Sequence, residues 1–160
     1  MNETTAKAIT ACLETDVDFY RELTVFLMKK HTKVLEDDID WLSDSLNDEQ
    51  AYLMRSRSLE DKRLAIFAEL GISGKKLSEL IEEAPESYRP KMKMLGAQLT
   101  ELIDKIGELN TETNELVKRK LDNQKDLVRQ AGILNKPSTY NKNAAKVAGG
   151  ASSAQVIRQI

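Results

Sequence analysis

One cysteine and one histidine in 160 residues leave this sequence short of most enzyme chemistry. The lone Cys12 excludes an intramolecular disulfide, and no Cys/His spacing fits a zinc site. Beside Leu13 in an apolar-periodic stretch, Cys12 reads as a small buried hydrophobe. His31, between Lys30 and Thr32, reads as a surface residue. There is no glycine-rich phosphate loop, so the usual catalytic constellations cannot be assembled. The acidic groups Asp16/Asp18 and Asp37/Asp38/Asp40 lack the glycine and terminal glutamate spacing of a calcium loop. They read as helix N-terminal and surface charge. No catalytic, cofactor-binding or metal-binding residue is assigned, and the chain reads as a non-enzyme.

Breakers and aromatics are scarce as well: three prolines, seven glycines and 5% Phe, Trp and Tyr, against 31% charged residues. Long helices built from Leu, Glu, Lys and Ala have this composition, and their core is a thin seam of Leu, Ile, Val and Met. The formal charge of −2 comes from basic and acidic residues spread through the chain. Phosphate binding needs a concentrated basic face, so nucleic acid is not the expected partner. The densest basic run, Lys118-Arg119-Lys120, is followed by Asp122 and Asp126 and reads as a solvated helix face. No apolar run approaches membrane-spanning length, and MNETTAKAIT carries no basic-then-apolar signal. The expectation is a soluble, cytoplasmic protein without direct membrane insertion.

Periodicity predicts four helical segments and a tail. The first covers about Thr4 to Leu35, with Ile9, Leu13, Val17, Tyr20, Leu23, Leu27 and Val34 on one face and Phe19 and Phe26 widening it. Glu36-Asp37-Asp38 marks a turn, where an Asp can cap the next helix. The second runs from Asp38 to Leu70 on a seam of Ile39, Leu42, Leu46, Leu53, Leu64, Phe67 and Leu70. Glu49, Ser56, Glu60 and Arg63 fall on or next to that line as polar insertions that fix register. Trp41 reads as a cap over the bundle end. Gly71 is placed as a helix C-cap. A short amphipathic piece, Lys75 to Ala84, stops at Pro85, and Pro90 suits the first turn of the next helix.

That last helix, about Lys91 to Leu134, is the most regular. Leu95, Leu99, Leu102, Ile106, Leu109 and Leu116 form a heptad seam that weakens at Thr113, Lys120 and Asn123. A second stripe runs through Ile103, Gly107, Asn110, Asn114, Val117, Leu121 and Val128. Burying both stripes calls for an all-α, antiparallel three-helix coiled-coil bundle of long helices with one short extra helix. The bundle domain is set at 1–134. From Asn135 to Ile160, the Asn, Lys, Ala, Gly and Ser content reads as a flexible C-terminal tail, ending in an apolar Val156, Ile157 and Ile160.

This order of parts resembles the FlgN family of flagellar export chaperones: a hairpin of long helices, a short insertion, a long final helix and a tail. The stretch Leu35 to Gly71 resembles their second helix at Glu49-Gln50, Leu59-Glu60, Arg63 and Leu70-Gly71. The final helix is similar at Leu102-Ile103, Leu109-Asn110 and Asn114-Glu115-Leu116, and Pro137-Ser138-Thr139-Tyr140 resembles the family's Pro-x-x-Tyr. The sequence departs from the pattern at Asn141-Lys142-Asn143 and at His31, near a site usually acidic.

The resemblance implies a type III secretion chaperone that holds the hook-filament junction proteins FlgK and FlgL and delivers them to the export gate FlhA. Past Leu116 the final helix keeps an apolar stripe of Val117, Leu121, Val128, Ile133 and Leu134 while its own seam turns polar. Such a stripe suits an amphipathic client helix. Tyr140 is the expected contact with the gate. Asn110 and Asn114 are expected to satisfy one another or a facing helix and so set register. A monomer or weak homodimer is expected. The alternatives are a self-associating structural coiled coil and a chaperone for a different flagellar client.

Overall fold

The computed structural model describes residues 1–132. Five helices follow one another: α1 (Glu3–Leu35), α2 (Ile39–Asp44), α3 (Leu46–Glu69), α4 (Leu77–Glu83) and α5 (Arg89–Gln130). No strand occurs among the described residues. The fold class is all-α, as the composition required.

The helix ends follow from local chemistry. Asn2 accepts the Thr5 amide at 2.7 Å and caps α1, while Asp38 accepts the Trp41 amide at 3.0 Å and caps α2. Helix α3 ends on a left-handed Gly71 (φ 65°). The Ile72 amide bonds to Phe67 O at 2.9 Å and the Gly71 amide to Ala68 O at 3.1 Å. These are the two bonds of a Schellman cap. Helix α1 ends in the same way on a non-glycine residue, Asp37 (φ 57°), with Asp38 N to Lys33 O at 3.0 Å and Asp37 N to Val34 O at 3.3 Å. Arg89 reaches back over Pro85 to Ala84 O (2.8 Å) and Glu82 O (2.9 Å), closing the end of α4.

The main packing is between α1 and α5. Buried or half-buried positions on α1 fall at Ala6, Thr10, Leu13, Val17, Tyr20, Thr24, Leu27, His31 and Val34. On α5 they fall at Met92, Leu95, Leu99, Leu102, Ile106, Leu109, Thr113, Leu116 and Lys120. Both series alternate steps of three and four, which is a heptad seam. Cross-links run in the same direction on both helices: Glu14 to Lys91, Arg21 to Gln98, His31 to Thr113 and Leu35 O to Lys120. So α1 and α5 are parallel. Helix α3 runs antiparallel to α1, with pairs Lys30–Glu49, Glu22–Arg55 and Asp16–Arg63. Helix α4 packs on α5 at Gly96, where a β-carbon would lie 2.8 Å from Leu77 Cδ2.

Several expectations are corrected. The second helix is not continuous, because buried Ser45 interrupts it and bonds its hydroxyl to Leu42 O at 3.0 Å. Its seam matches the expected one only in part: Ile39, Leu46 and Leu64 are exposed, whereas Leu42, Leu53, Phe67 and Leu70 are half-buried. The face turned inward carries Glu49, Tyr52, Ser56, Leu59, Arg63, Ile66 and Leu70, all half-buried. No residue of α3 is fully buried, so the second stripe of α5 stays half-covered. Helix α5 ends at Gln130, before a left-handed Gly132, and not at Leu134.

Two different interfaces therefore meet on α1. The α5 side is aliphatic, with Val17, Met92 and Ile106 at 0–1% exposure. The α2–α3 side is aromatic and charged. Tyr20, Phe19, Tyr52, Phe26 and Trp41 make a row of rings with successive centroids 5.0–6.3 Å apart. Lys29 lies over Trp41 and Arg55 over Phe19, each 5.2 Å from the ring centroid.

Candidate functional site

The helices differ in length: 33 residues in α1 and 42 in α5. Because they are parallel and Lys120 closes the end of α1, α5 runs on alone beyond its partner. The ten residues from Leu121 to Gln130 project about 15 Å at 1.5 Å per residue. Every residue from Leu121 to Gly132 is exposed. Lys120 defines the boundary, with Nζ 3.1 Å from Leu35 O and 2.6 Å from Asp37 Oδ1. A cation at the final carbonyls of α1 also matches the helix dipole.

Three of the five residues assigned to the client surface lie on or beside this projection. Val117 is half-buried at its base, and Leu121 and Val128 are 37% and 39% exposed. Leu121 and Val128 are one heptad apart, so they share a face. Ile133, Leu134 and Tyr140 lie outside the described residues. Leu127, 65% exposed, was missed by the sequence reading. It continues the seam line Leu116, Lys120, Asn123, Leu127 by steps of four, three and four, and following that line past its polar members would have found it. The flanking pairs Asp122–Lys125 and Asp126–Arg129, both at 3.9 Å and well exposed, add little stability.

Asn110 is half-buried and Asn114 exposed. The buried polar contact from α5 to α1 is made by Thr113, whose Oγ1 lies 2.9 Å from His31 Nδ1. His31 is therefore half-buried in the seam and not a surface residue. Asp16 is likewise no surface charge. It is 4% exposed and accepts from Arg63 Nη1 at 2.6 Å. Burial pushes its carboxyl above the usual range, and the Arg63 charge and hydrogen bond pull back against that. Burial also raises the Cys12 thiol, with Asp16 adding to it, which keeps the sulfur protonated.

Among the described residues no helix is long and apolar enough to cross a membrane. The surface hollow around Asp16, Tyr20, Ser56 and Arg63 is closed by its own ion pair. The α5 projection presents a free apolar face of Leu121, Leu127 and Val128. No match was found among curated proteins, nor among solved structures. The family model described as FlgN protein matches residues 1–147, most of the chain and the whole of the bundle. With that match over most of its length, the chain belongs to the FlgN family of flagellar export chaperones.

Proposed function

We propose that this chaperone binds the C-terminal helical region of the hook-filament junction proteins FlgK and FlgL through the α5 projection, and delivers them in the cytoplasm to the export gate FlhA. The observation that carries this reading is the set of exposed Leu121, Leu127 and Val128 on a helix that has outrun its partner. An amphipathic client helix laid along that face would supply the partner that α1 supplies lower down, with anchors at helical spacing. Val117, and beyond the described residues Ile133 and Leu134, would extend the contact at each end. Asn110 and Asn114 would sit below it as polar register positions. Tyr140 would then be free to meet the gate, its ring in a pocket and its hydroxyl hydrogen-bonded. A self-associating scaffold is the weaker reading, because the α1–α5 seam it would use is already filled within one chain.

Calorimetry with a peptide from the FlgK C-terminus tests this. Leu121→Glu should abolish peptide binding while leaving the helical circular dichroism unchanged; undiminished affinity would remove the α5 projection as the client surface. Tyr140→Ala should leave the peptide bound and weaken pull-down of the FlhA cytoplasmic domain.

A further inference from the structure

The groove between α1 and α5 has two rims, and only one is covered, by α3 and α4. On the open rim the helices are first tied by Glu14–Lys91 and Arg21–Gln98. These are the flanking positions of the parallel seam, where charged pairs are the usual choice. One and two heptads further along α1 the same line reaches Met28 and Leu35, 48% and 54% exposed. Val25, three residues before Met28, is 68% exposed on the same face. The corresponding α5 line continues through Lys105 and Glu112. So the upper half of this rim replaces tied polar pairs with a bare apolar stripe.

The surface beside that stripe is acidic. From Glu101 to Glu115, α5 carries five acids (Glu101, Asp104, Glu108, Glu112, Glu115) against Lys105, a net charge of −4. All six side chains are exposed. A second copy of the chain would bring an equal negative rim to it, which like-charge repulsion opposes. Residues 133–160 have the opposite character. They hold Lys136, Lys142, Lys146 and Arg158 and no acid, for a charge of +4, and end in Val156, Ile157 and Ile160.

Reach is sufficient. The seam register, fixed by His31 opposite Thr113, places Leu35 level with residue 117 and Met28 level with residue 110. From Gly132 back to those levels is about 23 and 33 Å at 1.5 Å per residue. The 24 residues from Gly132 to Val156 span about 80 Å fully extended. As a relaxed coil they average about 27 Å end to end. A tether whose mean length is close to the span gives a high effective concentration, so a weak intrinsic contact is enough to populate the docked state. The geometry points to an intramolecular ligand: the C-terminal segment docks on this open rim, its lysines along the acidic α5 face and Val156, Ile157 and Ile160 over Val25, Met28 and Leu35.

Disulfide trapping in the full chain tests this, in a Cys12→Ala background. Met28→Cys with Ile157→Cys should close within one chain about tenfold faster than Ala51→Cys with Ile157→Cys under mild oxidation at low salt. Ala51 is an exposed control on α3 at a similar height, two residues past the Glu49 that pairs with Lys30. Raising salt to about 1 M, where the screening length is about 3 Å, should shrink that advantage. The triple change Glu108→Lys, Glu112→Lys and Glu115→Lys should shrink it as well. Equal rates for the two pairs at low salt would overturn the proposal. So would a disulfide formed mainly between chains, which would assign the rim to a second copy. An advantage insensitive to both salt and charge reversal would overturn it too.

Discussion

Replacing Arg63 with methionine isolates the buried charge pair between α1 and α3. Arg63 and Asp16 side chains are 16% and 5% exposed and 2.6 Å apart. Methionine keeps much of the aliphatic bulk but strands the Asp16 carboxylate between α1 and α3. Removing one partner of a buried pair costs about 3–5 kcal/mol, and the partial exposure of Arg63 points to the lower end, about 3 kcal/mol. With a urea dependence of about 2 kcal/mol per molar, the midpoint should fall by about 1.5 M. The double change Asp16→Leu with Arg63→Met removes both charges and should return to within about 1 kcal/mol of the parent. Proton linkage supplies a second readout. The Asp16 carboxyl is already raised by burial, and Arg63→Met deletes both opposing influences. The folded state then holds the proton more tightly than the unfolded chain, so stability rises as pH falls. The deficit should be largest near neutrality, shrink as pH falls through the raised folded value, and be smallest below the unfolded value of about 3.8. Urea melts followed at 222 nm between pH 7 and pH 4 measure all of this. A cost below about 1 kcal/mol, or a double variant as unstable as the single, would refute the reasoning.

Other substitutions probe the remaining features. Asp37→Gly should raise stability by about 0.5 kcal/mol in thermal melts, because relief of the left-handed backbone exceeds the loss of the exposed Lys120 contact. Asp37→Val at the same position should lower it by more than about 1 kcal/mol. Phe19→Ala should cost about 3–5 kcal/mol, since its ring is wholly buried between Tyr20, Tyr52 and the Arg55 guanidinium. Leu59→Ala should cost more than Leu64→Ala, which should stay within about 0.5 kcal/mol of the parent. The reverse order in urea melts would restore the seam expected from the sequence.

The α1–α5 seam was legible because its members are mostly apolar and their three–four steps show within one helix. Gly71 and Asp38 were legible because caps are local. The inward face of α3 was legible only in part: its polar members were placed on or next to the seam, but not as its main line. Glu49, Ser56 and Arg63 occupy one heptad line, and reading each helix alone favours the leucines beside it. Their partners, Lys30, Tyr20 and Asp16, are 19 to 47 residues away in the chain. A polar seam becomes visible only when the complementary helix is laid against it. His31 was misplaced for the same reason, since its charged neighbours in sequence gave no sign of Thr113. On the candidate surface, Leu121 and Val128 were found from spacing. That they stand clear of the bundle depends on where α1 stops, a matter of relative length and register between two helices.

The parallel pairing of the first and last long helices has a consequence for biogenesis. His31 meets Thr113 and Leu35 meets Lys120, contacts 82 and 85 residues apart. Few local contacts can stand in for them, because α3 buries nothing completely. At about 5–20 residues per second, translation from Leu35 to Lys120 takes about 4–17 seconds. Until Met92 and the seam residues after it are made the aliphatic face of α1 has no mate, and the closure entropy of a long loop still opposes its burial. A chain interrupted before Met92 would display that face indefinitely. A chaperone of this architecture is itself, during its own synthesis, a nascent chain in need of shielding.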